Sequence, residues 1–339
     1  MSAPTLAALR RSCAEAVVVA AAPDIGQRPH PPGVDVVRAV PPSGNPRFPA
    51  AVREVAVAAG VDVVLPWSDR DALAIAPAAD IFASAGVAVV CPRSELVELA
   101  CDKWATLRRL ADLGVTMPNS RLAHSGEQLR AAAVTLGYPK TSLIVKPRGL
   151  SGGQGVWIVR ADADPTRTAP RPQVPLAAMM ALLDACPVND AAGFVVQQEV
   201  HGSDVSVDLL ARDGELLAAV ARTREATLGG LSVQGTAGPL DASLASVIGR
   251  LVSGLGWSSL ANVQLVLSED GPVVYEINAR ASGSIGIAAL GGLDLLWWAI
   301  RQARGEPLPR GGTLLAPLRF RRYWSDQWWP IEQPESVES

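Results

Sequence analysis

A chain of 339 residues has the length for more than one core, and at ~100–200 residues per domain two domains or a three-part enzyme is expected. With 49% apolar and 19% charged residues the composition is globular, which excludes a disordered or fibrous chain. A formal net charge of -3 with no block of Lys or Arg excludes a surface built for nucleic acid or membrane, while leaving room for small anions.

Residues 17–22 are apolar, but the run is short and Asp24 follows, so it reads as a first buried strand and not as a signal segment. Residues 35–37 form a second short strand after a Pro-rich loop. Residues 48–59 read as a helix, 61–65 as a strand, 69–85 as a helix and 87–90 as a strand, with Gly60 and Gly86 as punctuation. This alternation predicts a small doubly wound parallel domain over residues 1–101. It lacks GxGxxG after its first strand, so dinucleotide binding is not expected there.

Helices are expected at 94–100 and 102–113, capped by Ser94 and Asp102, and at 125–136, stopped by Gly137. Strands at 143–147 and 156–159 flank a Gly-rich loop, and the Pro-rich stretch 162–175 reads as a surface insertion. Strands at 194–198, 205–210 and 216–220 follow, the last two joined by Asp213-Gly214. A helix over 243–255, a hairpin from 262–267 and 273–278 around Asp270-Gly271, and a long helix over 285–304, interrupted or flanked by Gly291-Gly292, complete the chain. No apolar run reaches the ~20 residues of a membrane span. Cys13, Cys91, Cys101 and Cys186 make no CxxC pair, which fits a reducing cytoplasm, and His30, His124 and His201 are too scattered for a zinc site.

Five segments carry chemistry. In LIVKPRGLSGGQGV (143–156), Lys146 closes an apolar strand and Gly149, Gly152, Gly153 and Gly155 follow. Glycines let main-chain N–H groups converge on a phosphate, and the Lys supplies a point charge. A Walker loop needs its Lys after the last Gly, where Val156 stands; an edge-strand Lys before a long hairpin loop is the plainer alternative. In 262–280, strand alternation puts Glu276 and Asn278 on one face, with Tyr275 and Ile277 on the other. A three-residue tip at 269–271 sets Gln264 opposite Glu276, gathering three oxygen-bearing side chains suited to Mg²⁺ shared with phosphates. The alternative is a solvated polar face. Arg280-Ala-Ser282-Gly283-Ser284 precedes a helix and makes an anion site or ordinary capping. Gln198, Glu199 and Asp204 lie at a strand end beside Gly202, suited to adenine and ribose or to a simple turn. Arg222 and Arg224 precede a Gly-containing loop and grip a carboxylate or γ-phosphate, unless they are surface arginines.

The order and spacing of these segments, Asp102-Lys103, Gly114-Val-Thr-Met-Pro118, Val145-Lys146-Pro147 with its loop, and Glu276-Ile-Asn278-Ala-Arg280, resemble the ATP-grasp superfamily. The branch they resemble contains carbamoyl-phosphate synthetase, biotin carboxylase and the pyrrolysine-biosynthesis ligase. The resemblance implies an α/β (α+β) ATP-grasp fold. A Rossmann-like domain at 1–101 precedes an ATP-grasp module at 102–339, with a lid at about 120–196 and a metal and substrate subdomain at about 197–330. It implies ATP and Mg²⁺ as cofactors, with Mn²⁺ as a substitute. Lys103 and Lys146 would touch phosphates, and Gly149, Ser151, Gly152, Gly153 and Gly155 would close over them. Gln198, Glu199 and Val200 would lie along adenine, and Asp204 near the ribose. Gln264, Glu276 and Asn278 would hold the metal, Gln264 standing where many relatives have an acid. Arg280, with Arg222 or Arg224, would stabilise the transferred phosphoryl group, which makes Arg280, Lys146, Arg222 and Arg224 the catalytic set. The implied activity is ATP-dependent carboxylate–amine ligation through an acyl phosphate, releasing ADP and phosphate. Small acid and amine substrates and a homodimer are implied as partners. Bicarbonate activation and a non-catalytic nucleotide-binding module are the alternatives.

Overall fold

A computed structural model describes residues 3–23, 32–150, 154–164, 171–185, 193–228, 230–309 and 316–323. The N-terminal part alternates as its composition predicts. After α1 (Ala3–Ser12), a helix the sequence reading missed, come β1 (Val19–Ala22), β2 (Val36–Ala39), α2 (Phe48–Ala58), β3 (Val63–Val64), α3 (Asp69–Ile75), α4 (Ala79–Ala83) and β4 (Ala88–Val89). β1 pairs with β2 and β3 with β4, both in parallel. The expected single sheet is instead two parallel pairs among the described residues. The helix expected over 69–85 is broken where Pro77, lacking an N–H, forces a 3₁₀ turn at Ala76–Ala78.

α5 (Ser94–Cys101) and α6 (Lys103–Asp112) meet at Asp102. Its carboxylate accepts the Trp104 and Ala105 N–H groups, each at 3.0 Å, as the expected N-cap. Ser94 is instead the first helical residue, with Arg93 at the cap, and its hydroxyl donates to Glu98. Cys91, before α5, and Cys101, its last residue, lie partly buried, and burial pushes both thiols up to about 12. Cys101 Sγ donates to the Asp69 carbonyl at 3.9 Å.

A smaller sheet follows, from β5 (Ser120–Ala123), α7 (Gly126–Thr135), β6 (Leu143–Pro147), β7 (Trp157–Val159), β8 (Gln173–Val174), α8 (Leu176–Ala185) and β9 (Phe194–Gln198). Its strand order is β5-β9-β6-β7-β8. α7 and α8 bury Leu129, Ala133, Met179 and Leu183 against Val145, Val159 and Val196. The stretch read as an irregular insertion thus contributes a short edge strand, β8, at its end; residues 165–170 of it lie outside the described residues.

The larger sheet comprises β10 (Ser203–Arg212), β11 (Glu215–Thr223), β12 (Ala226–Leu228), β13 (Leu231–Gly238), β14 (Ser259–Ser268), β15 (Gly271–Asn278) and β16 (Leu318–Arg321). Its order is β12-β13-β11-β10-β14-β15, with β16 on β13, so the segment read as a loop before residue 236 is a hairpin. Side chains on a strand alternate between faces. Val205, Val207 and Leu209 of β10 therefore face the helix α9 (Ala242–Leu255), with Ile248 and Leu251. The opposite face carries Asp204, Ser206 and Asp208, then Leu210, which packs under α10 (Gly286–Leu290) and α11 (Leu295–Ala303). The two glycines at 291–292 split the long helix expected there into these two, with Gly292 at φ 90°. A polar stripe thus lies within an otherwise apolar, helix-covered face.

Candidate active site

The stripe is assembled by register. Ser206 of β10 pairs with Gln264 of β14 and with Arg222 of β11, and Gln264 pairs with Glu276 of β15. One row across four strands therefore reads Arg222, Ser206, Gln264, Glu276. The next row holds Asp208, Asn262 and Asn278. The preceding row holds Asp204, whose carbonyl accepts the Arg224 N–H at 2.9 Å. The expected pairing of Gln264 with Glu276 is present, but by another route. The turn after β14 has two residues, Glu269 and Asp270, because Ser268 pairs with Gly271. A bulge opposite Gln264/Leu265 then restores the count.

The bulge corrects one expectation. Tyr275 does not share a face with Ile277; as the extra residue it turns toward the stripe and lines the cavity there. Its hydroxyl donates to Asp204 at 2.8 Å and lies 3.2 Å from Gln264 Oε1. Burial first, and the Asp204 charge second, hold the phenol well above its ordinary pKa. Arg224 closes this cluster: Nη1 donates to Gln264 Oε1 at 2.9 Å and to the Tyr275 hydroxyl at 3.3 Å, and Nη2 to the Gly230 carbonyl.

Lys146 rises from β6 of the smaller sheet with 4% of its surface exposed. Its ammonium donates to the Tyr275 carbonyl at 3.4 Å and lies 5.5 Å from the centre of that ring. Burial lowers its pKa to about 8, Glu276 pulling it up and Lys103 and Arg171 pushing it down. Lys103, at the start of α6, donates to the Leu150 carbonyl. Beneath it, Asp102 accepts Arg148 Nε at 2.7 Å and Nη2 at 2.5 Å, which ties the start of the Gly-rich loop to α6. Gly155 sits at φ 66°, where an added Cβ would meet Pro147 at 2.9 Å. Ser151, Gly152 and Gly153 lie outside the described residues.

These groups enclose a cavity of about 320 Å³ between the two sheets, lined by Lys146, Glu199, Val200, Asp204, Glu276, Asn278 and Arg280 among others. A second hollow, of about 240 Å³, holds Lys103, Gly149 and Asp69 and shares Glu276 and Asn278 with the first. The Gln198 side chain is not free for a ligand: its amide donates to the Leu136 carbonyl and accepts from Asn119. Glu199 Oε2 is buried and has no hydrogen-bond partner among the described residues. Arg280 is held by Asp69 of α3, Nε to Oδ1 at 3.1 Å and Nη2 to Oδ2 at 3.2 Å. Asp69 comes from the N-terminal part, and no local sequence signal joins it to position 280. Tyr275 was missed because alternation cannot see a bulge, and Arg171 because it sits in the Pro-rich stretch.

The family model described as ATP-grasp in the biosynthetic pathway with Ter operon matches residues 190–321, which span β9 to β16. The biotin carboxylase domain of Hydrogenobacter thermophilus 2-oxoglutarate carboxylase, a dimer in complex with MgADP, ADP and bicarbonate, superimposes at TM-score 0.68. It is 18% identical, and the match covers 94% of this chain and 70% of that one. The chain therefore shares the fold of that domain, and its residues 190–321 match an ATP-grasp family. The L-amino acid ligase of Bacillus licheniformis matches at TM-score 0.57 and 17% identity over 81% of this chain and 64% of that chain. In sequence, the large chain of arginine-specific carbamoyl phosphate synthase from Geobacillus stearothermophilus is 25% identical over 169 residues. That match covers 50% of this chain and only 15% of the curated relative.

The donor set suits a Mg²⁺ ion. Glu276, Gln264 and Asn278 offer one carboxylate and two amide oxygens on one face, and hard cations take oxygen ligands shared with phosphates. Among the described residues no group of three or more His, Cys, Asp or Glu is placed to hold a metal ion. Both amide oxygens are already engaged, Gln264 Oε1 accepting from Arg224 at 2.9 Å and Asn278 Oδ1 from Arg280 at 3.3 Å.

Proposed function

We propose that this protein is an ATP-dependent carboxylate–amine ligase that activates a small acid as its acyl phosphate and releases ADP and phosphate. The observation that carries the reading is Glu276, between Lys146 on one side and the hollow holding Lys103 on the other, with Arg280 two residues past Asn278. Two anions must meet for a carboxylate to attack a γ-phosphate, and convergent cations offset their repulsion.

In this reading the main chain at Glu199 and Val200 receives adenine, and the orphan Glu199 carboxylate accepts from the bound nucleotide. Asp204 lies at the ribose end. Lys103 and Lys146 hold the phosphates, with Glu276, Asn278 and Gln264 as ligands for Mg²⁺, which supplies further neutralisation of phosphate charge. Arg280, fixed in direction by Asp69, donates to the transferred phosphoryl and then to the oxyanion formed when the amine attacks. Arg224 orients Gln264 and Tyr275. The Gly149–Gly155 loop excludes water, which would otherwise hydrolyse the acyl phosphate.

A screen of carboxylic acids crossed with amines, read by phosphate and ADP release, tests the reading. Glu276→Ala should lose at least a hundredfold in turnover with an unchanged circular-dichroism spectrum; wild-type turnover in that variant would refute the metal assignment. Bicarbonate is the second substrate to include, because the carboxylase domain matched above is a complex with that anion. Bicarbonate-dependent ADP release without any other acid would favour it.

A further inference from the structure

Arg222 is 1% exposed and more fully buried than any other charged side chain lining the central cavity. Its Nε and Nη2 donate to Asp208 Oδ2 at 3.0 and 2.8 Å, and Nη2 also reaches Ser206 Oγ and, at 3.1 Å, Ser282 Oγ. Nη1 is buried and has no hydrogen-bond partner among the described residues. A buried donor on a charged group is costly to leave unpaired, so an acceptor is the expected complement. Ser282 and Ser284 line the same end of the cavity. Behind them Arg322 donates to the Gly283 carbonyl and to Ser284 Oγ, each at 2.8 Å. Arg322 has no acidic partner among the described residues, whereas Arg222 is matched by Asp208 and Arg280 by Asp69. Burial, and next the charge of Arg222, lower the Arg322 pKa, so the two cations share one electrostatic neighbourhood.

Arg222 and Glu276 stand at opposite ends of one row, three strand spacings apart, or roughly 14 Å between backbones at ~4.8 Å per spacing. A single carboxylate cannot serve both ends. We propose that Arg222 Nη1 and the Ser282 hydroxyl, backed by Arg322, bind a second carboxylate that takes no part in bond making. This rests on the ligase reading and narrows its substrates to a pair carrying a spectator carboxylate. The carboxylate belongs either to a dicarboxylic acid activated at its other end or to an amino acid whose amine is the nucleophile.

Binding of succinate, glutarate, glycine and L-alanine, each compared with its monoamide, is measured on the full chain by calorimetry with MgADP present. At least one carboxylate should bind at least tenfold more tightly than its amide, and that preference should vanish in Ser282→Ala and Arg322→Gln. Arg222→Lys should weaken it as well; the two milder variants keep the test valid if that one misfolds. A preference among dicarboxylates identifies the acid as the source, and one among amino acids identifies the nucleophile. Equal binding of acids and amides, or a preference that persists in both mild variants, overturns the proposal. The ligase reading fails separately, if no acid and amine pair releases ADP while this binding is intact.

Discussion

Lys146 sets a conflict that the proposed nucleotide would resolve. Its ammonium is buried, and its pKa of about 8 means that folding suppresses the charge the proposed chemistry requires. The folded pKa lies below the ordinary 10.5, so the cost to folding is fully present below about pH 8 and disappears as pH rises from about 8 to 10.5. At 1.36 kcal/mol per pKa unit it is on the order of 3 kcal/mol. Lys146→Met should therefore raise the melting temperature of the nucleotide-free protein at pH 7, with a gain that shrinks toward pH 10, while ATP binding is lost. In the wild type, calorimetric affinity for ATP should fall as pH climbs through about 8. Lys146, Glu276, Asn278 and Arg280 were all legible in the sequence, because chemically distinctive residues sat at strand ends. Tyr275 and Asp69 were not: one depends on an irregular strand, the other on a contact 211 positions away.

Among elements, the β14–β15 hairpin shows what pattern reading reaches. Alternation and turn chemistry located both strands, and the pairing of positions 264 and 276 was right, although a two-residue turn plus a bulge replaced the three-residue tip expected. Turn and bulge offset one another, and only pairing data separate the two routes. Helix ends were legible where a side chain caps, as at Asp102, and were misplaced at Ser94, whose hydroxyl donates to Glu98 within its own helix. Asp102 also anchors the Gly-rich loop through Arg148. Asp102→Ala should cost about 1–2 kcal/mol, mostly from the lost cap, in urea denaturation. Asp102→Asn should recover most of that, because the amide oxygen still caps and a part-exposed ion pair contributes less than ~1 kcal/mol. Equal losses in both variants would place the energy in the ion pair.

For the whole molecule, the N-terminal part was legible as alternating strands and helices, but its splitting into two parallel pairs was not, since ladders between such short strands leave no trace in composition. Its contribution to the site is Asp69, which reaches across to Arg280. Asp69→Asn should lower turnover about tenfold with little change in the KM for ATP, measured by phosphate release, because Arg280 loses direction and not charge. An unchanged turnover number would confine the N-terminal part to a supporting role.

Cys101 hangs from the main chain of that same Asp69. With its proton held to about pH 12, the thiol is a poor nucleophile in the closed molecule and an ordinary one once α5 lifts away. The speed at which a thiol-reactive dye modifies this sulfur would thus act as a stopwatch for the parting of the N-terminal part from Arg280, and a saturating nucleotide should slow it.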